Sequence, residues 1–183
     1  MAPVQTMARA ARRNAVPWLL CLWCAAGCAR RTPPVQIEVF TVGLAEEAGP
    51  VRYLHRIENL GCDNPDGPAR SIASASGADI VMIHSTSWRW EAGGRIVLTY
   101  LAWAREGTLP AAAVVLPAPP TRPDTDPLHP RPKEISRLDP LFHGLRHFAF
   151  LLRYDPDHKL REALGAPAAS VIEAFDPAPA GQR

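Results

Sequence analysis

A β-hairpin predicted between Ile80 and Ala104 constrains the fold more than any other part of the sequence. Two runs rich in β-branched and aromatic residues flank Gly93-Gly94, a pair typical of a hairpin turn. Both faces of each run begin with apolar residues, so we expect the hairpin to lie centrally in a sheet that is covered on both sides. A polar stretch from His84 to Arg89 interrupts the first run, and such an interruption marks either a functional site or a strand end near solvent.

Strand geometry divides the side chains of the first run between two faces, because successive residues point in opposite directions. Alternation predicts that His84 and Trp88 share one face and that Ser85, Ser87 and Arg89 share the other. His84 and Ser85 then cannot pair directly as base and nucleophile. The sequence also contains no Gly-x-Ser-x-Gly elbow, so a hydrolase is kept only as an alternative.

The segments around the hairpin predict an α+β fold. Residues 35–42 alternate like a strand, and residues 111–116 form a further candidate strand. Residues 50–60 carry apolar side chains at helical spacing and are followed by Gly61, which predicts a helix, and a second short helix is predicted over 68–77. We therefore expect a small, mainly antiparallel sheet of three or four strands with helices packed on it.

The strongest helix signal begins at Asp139-Pro140, since Asp is favoured as an N-cap and Pro at the first helical position. One predicted apolar stripe comprises Leu141, Leu145, Phe148 and Leu152. A second stripe comprises His143, His147, Phe150 and Tyr154. We expect this helix either to be covered on both sides or to present its second stripe to a pocket or partner. Two shorter helices are predicted over 155–165 and 167–175.

Residues 1–34 have the pattern of a secretion signal. Three arginines precede an apolar run over 15–27, and Ala25-Ala26-Gly27 stands directly before Cys28. This pattern resembles a bacterial lipoprotein signal, which implies lipidation of Cys28 and a membrane-anchored or exported protein. The alternative is that translation starts near Val35, in which case the first residues are spurious and the protein is cytoplasmic.

Beyond this segment the sequence predicts a single α+β domain over 35–175, with a proline-rich loop over 117–132 and a disordered tail over 176–183. Five of the 20 basic residues precede Thr32, so the remainder has 15 basic and 18 acidic residues and a net charge of −3. The sequence shows no basic stripe, which argues against nucleic acid as a partner.

Two histidines on the predicted long helix have the spacing of metal ligands. His143 and His147 are four residues apart, so both rings can reach one point. A third ligand would have to come from His84, Cys62 or an acid, and two ligands alone do not make a zinc site. We therefore predict no metal and no cofactor, and keep a metal-dependent enzyme as an alternative.

The hairpin carries the aromatic and cationic candidates for a binding site. Trp88, Arg89 and Tyr100 can line a pocket in which the guanidinium binds a carboxylate or phosphate. The alternative is that these residues pack across the strands, with Arg89 paired to Glu91.

The hairpin residues from Ile83 to Arg89, followed by Val97 to Tyr100, are similar to a hairpin in a group of small bacterial proteins. The similarity includes the strand from Val39 to Leu44 and the turn from Leu60 to Pro65, and it covers roughly residues 35–153. The resemblance implies no activity, and it favours a cytoplasmic domain that starts near residue 35.

We predict that the chain is a small ligand- or partner-binding domain, anchored to a membrane if the lipoprotein signal is functional. The expected partner is a small molecule or a protein, with membrane contact only through a lipid on Cys28. The alternatives are a hydrolase or metal-dependent enzyme that uses the three histidines, and a purely structural or interaction protein. The predicted binding residues are His84, Ser85, Ser87, Trp88, Arg89, Tyr100, His143 and His147.

Overall fold

The chain folds into one five-stranded sheet with helices on both of its faces. A computed structural model describes residues 33–46, 49–61, 63–119 and 135–180. The predicted signal with Cys28, the residue Cys62 and most of the proline-rich loop lie outside the described residues. The elements are β1 (Val35–Leu44), β2 (Val51–Asn59), α1 (Asp66–Ser74), β3 (Ile80–Glu91), β4 (Arg95–Ala104), β5 (Val114–Val115), α2 (Asp139–Arg153), α3 (Lys159–Leu164) and α4 (Ala166–Glu173).

The α+β class is confirmed, but the sheet has five strands rather than three or four, and it is mixed. The strand order is β3-β4-β1-β2-β5. Strand β4 runs parallel to β1, and the other three ladders are antiparallel. The predicted hairpin is present as β3 and β4. It is not central as expected, since β4 is an interior strand but β3 is the outermost strand on its side.

The prediction of a helix over residues 50–60 is wrong, because this segment is strand β2. Val51, Tyr53 and His55 project towards one face of the sheet, where the His55 ring stacks on Phe40 with centroids 4.5 Å apart. All nine residues of β2 pair with β1. These ladder and ring contacts outweigh the helical spacing of the leucines, since strand formation depends on neighbours distant in sequence.

The two faces of the sheet are covered by different helices. Helices α2, α3 and α4 lie on the face that carries Phe40, Leu101 and Trp103, all of which are at most 1% exposed. Helix α1 covers the opposite face at Tyr100 and Ala102. The predicted apolar stripe of α2 is confirmed, because all four of its residues are buried in the first core. Below, the two sides are called the α2 face and the α1 face.

Close approach of α2 to the hairpin depends on Gly144. A Cβ atom at this position would lie 3.3 Å from Leu101 Cδ2 and 3.5 Å from Thr86 Cγ2. The contact with Leu101 would be tighter than normal packing. Because Gly144 has no side chain, α2 can lie this close to β3 and β4.

The segment that follows α4 contacts helix α2 through Arg146. The backbone N–H of Ala178 donates to Arg146 O at 3.1 Å, and the Arg146 guanidinium binds Asp176. Residues 176–180 therefore pack along α2, and residues 181–183 lie outside the described residues.

Candidate functional site

A β-bulge in β3 determines which side chains meet at the candidate site. Ser85 pairs with Tyr100 and Ser87 pairs with Thr99, so Thr86 is an extra residue without a partner of its own. An extra residue in one strand shifts the alternation of side chains beyond it. The face assignment expected from strict alternation is therefore wrong for part of the strand.

The bulge brings His84 and Arg89 to the same face of the sheet. His84 pairs with Leu101 and Arg89 pairs with Val97, and directly opposed residues point to the same side. Leu101 belongs to the core beneath α2, so both side chains lie on the α2 face. Trp88 pairs with Leu98 and lies on the α1 face instead.

The eight predicted binding residues thus do not form one site. Those on the α2 face, or on α2 itself, are His84, Ser87, Arg89, His143 and His147. Those on the α1 face are Ser85, Trp88 and Tyr100. Ser85 and His84 lie on opposite faces, as strand geometry predicts, so they do not form a nucleophile–base pair.

Arg89 is engaged by carboxylates of the chain itself. Its Nη1 and Nη2 atoms donate to the two oxygens of Glu38 at 2.5 and 3.1 Å, which is a bidentate pair. Its Nε and Nη2 atoms also donate to Glu91 Oε1, at 3.1 and 3.0 Å. The predicted pairing with Glu91 is present, and an external anion would have to displace two carboxylates to bind this guanidinium.

Glu38 is the residue that sequence reasoning missed, and it lies at the centre of this cluster. Its side chain is buried, and it also accepts hydrogen bonds from Thr99 Oγ1 at 2.9 Å and from His55 Nε2 at 3.0 Å. The Arg137 guanidinium lies 3.2 Å from His55 Nδ1, and arginine can only donate. Nδ1 therefore accepts, and the proton that binds Glu38 is on Nε2. The sequence signal for this cluster was an isolated acid inside an apolar strand, since a buried charge needs partners.

The contacts of Glu38 keep it ionised. Burial by itself raises the pKa of this carboxyl, but hydrogen bonds from His55 and Arg89, the charge of Arg89 and the bond from Thr99 together lower the pKa to about 2. A carboxylate with so low a pKa is a poor general acid or base near neutral pH. The cluster is therefore suited to holding β1, β2 and β3 together rather than to proton transfer.

The second cluster on the α2 face is a row of rings that starts at the bulge. The His84 and His147 rings stack with centroids 5.1 Å apart, and the row continues through Phe150 to Tyr154. His147 is 4% exposed, and neither of its ring nitrogens has a hydrogen-bond partner of normal geometry among the described residues. Burial lowers the pKa of His84, although Asp66 opposes this. Burial and the neighbouring His84 and His143 rings lower the pKa of His147, although the backbone of Ala178 opposes this.

These histidines do not assemble a metal centre in the part of the chain that the structure describes. His143 and His147 are both buried on α2, and His84 reaches His147 from the strand. No group of three or more His, Cys, Asp or Glu side chains among the described residues is placed to hold a metal ion. The metal-dependent alternative therefore lacks a third ligand there.

The α1 face carries an exposed aromatic surface at the turn end of the hairpin. Trp88 and Trp90 are 66% and 59% exposed, and they pair across the hairpin with Leu98 and Ile96, which are partly buried. We call these four residues the tryptophan face. Tyr100 is not part of this surface, because it is buried and its hydroxyl donates to Asp66 Oδ1 at 2.7 Å.

Comparisons with known proteins give no relative for this chain. No protein-family model, no curated protein and no solved structure matches it. Among the described residues, no helix is both long enough and apolar enough to cross a bilayer.

Proposed function

We propose that this chain is a non-catalytic binding domain that is anchored to a membrane by a lipid on Cys28 and binds through its tryptophan face. The observation that carries the proposal is the exposure of Trp88 and Trp90 side by side on the hairpin. Clustered exposed apolar residues are typical of interaction surfaces, and tryptophan is enriched among the residues that dominate binding. A purely structural role gives no reason for two large aromatic side chains to lie in solvent.

The state of the polar residues supports binding over catalysis. Arg89 and Glu38 neutralise each other, and the low pKa of Glu38 removes it from acid–base chemistry. Ser85 and His84 lie on opposite faces of β3. Among the described residues, neither a pair formed by His84 and Ser85 nor a metal site with three ligands is present, whereas binding through an apolar surface needs neither.

The anchor is supported by the sequence before the domain. A basic segment, an apolar run and small residues precede Cys28, as in the signal of a bacterial lipoprotein. The competing proposal, a start near Val35, yields a protein with no lipid.

Intact mass and cell fractionation of the protein expressed from its native gene in its own host test the anchor. We expect a chain that begins at a diacylated Cys28 and is found in the membrane fraction. The matched variant Cys28→Ala should carry no lipid. A soluble chain that begins near residue 35 would contradict the proposal.

A Trp88→Ser/Trp90→Ser variant keeps the anchor and tests the surface. Both side chains are exposed, so we expect the variant to fold, with each change costing roughly 0.5 kcal/mol or less. Chemical crosslinking in intact cell envelopes compares the two proteins, and a crosslinking pattern identical to that of the wild type would show that the tryptophan face is not the binding surface.

A further inference from the structure

We infer that the tryptophan face docks onto the bilayer that carries the lipid of Cys28, with both indole rings at the level of the headgroups. This inference rests on the proposed lipid anchor and goes beyond it, because it assigns the occupant of the exposed surface and the orientation of the domain.

The first argument is that the chain enters the domain beside the tryptophan face. The carbonyl of Pro34 accepts a hydrogen bond from the backbone N–H of Ile96 at 3.1 Å. Val35 pairs with Ile96, and Ile96 pairs with Trp90 on the next strand. The first residues of β1 and the turn end of the hairpin therefore lie at the same end of the sheet.

The second argument is the length of the tether. Six residues separate Cys28 from Val35. A fully extended chain advances at most about 3.6 Å per residue, so Val35 is held within roughly 25 Å of the lipidated residue. Neighbouring strands are about 4.8 Å apart, which places β3 roughly 10 Å from β1. Trp90 therefore lies within roughly 35 Å of the lipidated residue, so the tether allows it to reach the headgroups.

The side chains at this end of the domain are of types that suit a membrane surface. Tryptophan is enriched where membranes meet water, because its ring is amphipathic and its N–H can bond to headgroups. Arg30 and Arg31 lie in the tether itself. Anionic headgroups attract basic residues near a membrane surface, so these arginines favour contact with an anionic bilayer such as the phosphatidylglycerol-containing vesicles of the test below. The lipid supplies attachment, and the two indoles would fix which face of the domain points to the membrane.

A second copy of the chain is the competing occupant, since β3 is the outermost strand of the sheet. An exposed edge strand is a template for pairing with another chain. The short tether favours the bilayer as the occupant, because the covalently attached lipid holds the membrane close to this surface whatever the concentration of the protein.

Tryptophan quenching by brominated lipids tests the inference on the processed lipoprotein. Of the five tryptophans, Trp18 and Trp23 precede Cys28 and are lost on processing, which leaves Trp88, Trp90 and Trp103. Trp103 is 1% exposed and lies in the core beneath α2. The purified protein is reconstituted into phosphatidylethanolamine–phosphatidylglycerol vesicles with or without dibrominated acyl chains. We expect bromination to reduce tryptophan emission by roughly half, because two of the three rings lie at the membrane interface.

Two variants serve as matched controls. Trp88→Phe/Trp90→Phe leaves Trp103 as the fluorophore, and its emission should not respond to bromination. Adding Val114→Trp to the wild type, which keeps both indoles of the tryptophan face, places a fourth indole at a position that is 57% exposed in β5, on the opposite edge of the sheet. Val114 pairs with Tyr53, which pairs with Val42 near the far end of β1, so emission from this tryptophan should also be unaffected.

Each outcome bears on a definite claim. A lipidated protein whose wild-type emission does not respond to bromination would overturn the docking and leave the anchor intact. Quenching of the indole added by Val114→Trp to the same extent as Trp88 and Trp90 would overturn it as well, since the domain would then have no preferred orientation. A stable dimer in detergent that Trp88→Ser/Trp90→Ser dissociates would assign the surface to a second copy. An intact mass without lipid on Cys28 would overturn both the docking and the anchor.

Discussion

Replacing Glu38 with Gln is expected to destabilise the fold more than replacing Glu91, the other carboxylate that binds Arg89. The substitution preserves shape but removes the charge that Arg89 binds through both oxygens, at 2.5 and 3.1 Å. Breaking a buried ion pair by neutralising one partner costs about 3–5 kcal/mol, because the other charge stays desolvated. Arg89 keeps only Glu91 as a carboxylate partner among the described residues.

The lowered pKa of Glu38 gives a second value for the free energy that this interaction contributes to stability. The pKa falls from 4.5 to about 2 in the folded protein, and each pKa unit corresponds to about 1.4 kcal/mol, so the linkage is roughly 3 kcal/mol. Because the folded-state pKa is the lower one, this stabilisation is complete above the pKa of the unfolded state. It is lost as the pH falls from about 4.5 towards 2.

Denaturant unfolding at a series of pH values measures both effects. The wild type should lose stability across this acidic window, and Glu38→Gln should show a much smaller slope there. Glu91→Gln is the matched control, since Glu91 binds the same guanidinium at 3.0 Å but its side chain is 30% exposed, and exposed pairs contribute about 0.2–1 kcal/mol. The reasoning fails if Glu38→Gln costs no more than Glu91→Gln, or if it keeps the wild-type slope.

Three further substitutions test the packing around the bulge. Wild-type stability should fall as the pH drops below about 6.5, because the pKa of His147 is lower in the folded protein than in the unfolded one, so that protonation favours unfolding. His147→Phe should reduce this loss, and unfolding curves at pH 8, 7, 6 and 5 measure it. Gly144→Val should cost about 1–3 kcal/mol by overpacking against Leu101, and an unchanged melting temperature would contradict the close contact. Tyr100→Phe should cost about 0.5–1.5 kcal/mol by removing the hydrogen bond to Asp66. Burial and Asp66 raise the pKa of Tyr100 to about 12, so ultraviolet titration of the variant should lack this high-pH tyrosine.

Local patterns predicted the elements that carry their own signals. Gly93 and Gly94 both adopt positive φ angles, which explains why this pair identified the hairpin turn. Pro140 and the apolar periodicity predicted α2 from Asp139 onwards, although Leu138 rather than Asp139 is its N-cap. Asp139 instead accepts a hydrogen bond from the backbone of Ser136.

Long-range contacts decided the features that the sequence did not predict. Strand β2 exists because β1 and β5 pair with its two sides, and its own residues also satisfied a helical pattern. The bulge at Thr86 contains no glycine that would indicate it in the sequence, so the assumption of strict alternation placed His84 and Arg89 on opposite faces of the strand. Thr86 is 1% exposed beneath α2, which shows that the packing of the helix is part of what places it.

The sequence singled out some residues of these clusters, but it missed Glu38 and did not show how the sheet groups the others. The rings of His84 on β3 and His147 on α2 do stack, with their centroids 5.1 Å apart. Arg89 was predicted to bind either a ligand or an acid, and the acid that dominates, Glu38, lies 51 positions away in sequence. Such a partner is visible only once the sheet order is known.

Oxidative footprinting of the tryptophan face in intact cell envelopes and in purified protein tests the central claim most directly. The account predicts that Trp88 and Trp90 are oxidised readily in the purified protein and are protected in the envelope. Tyr154, which is 66% exposed next to the end of α2, serves as the internal reference and should react equally in both samples. Equal oxidation of the two tryptophans in both samples would contradict a binding role for this surface.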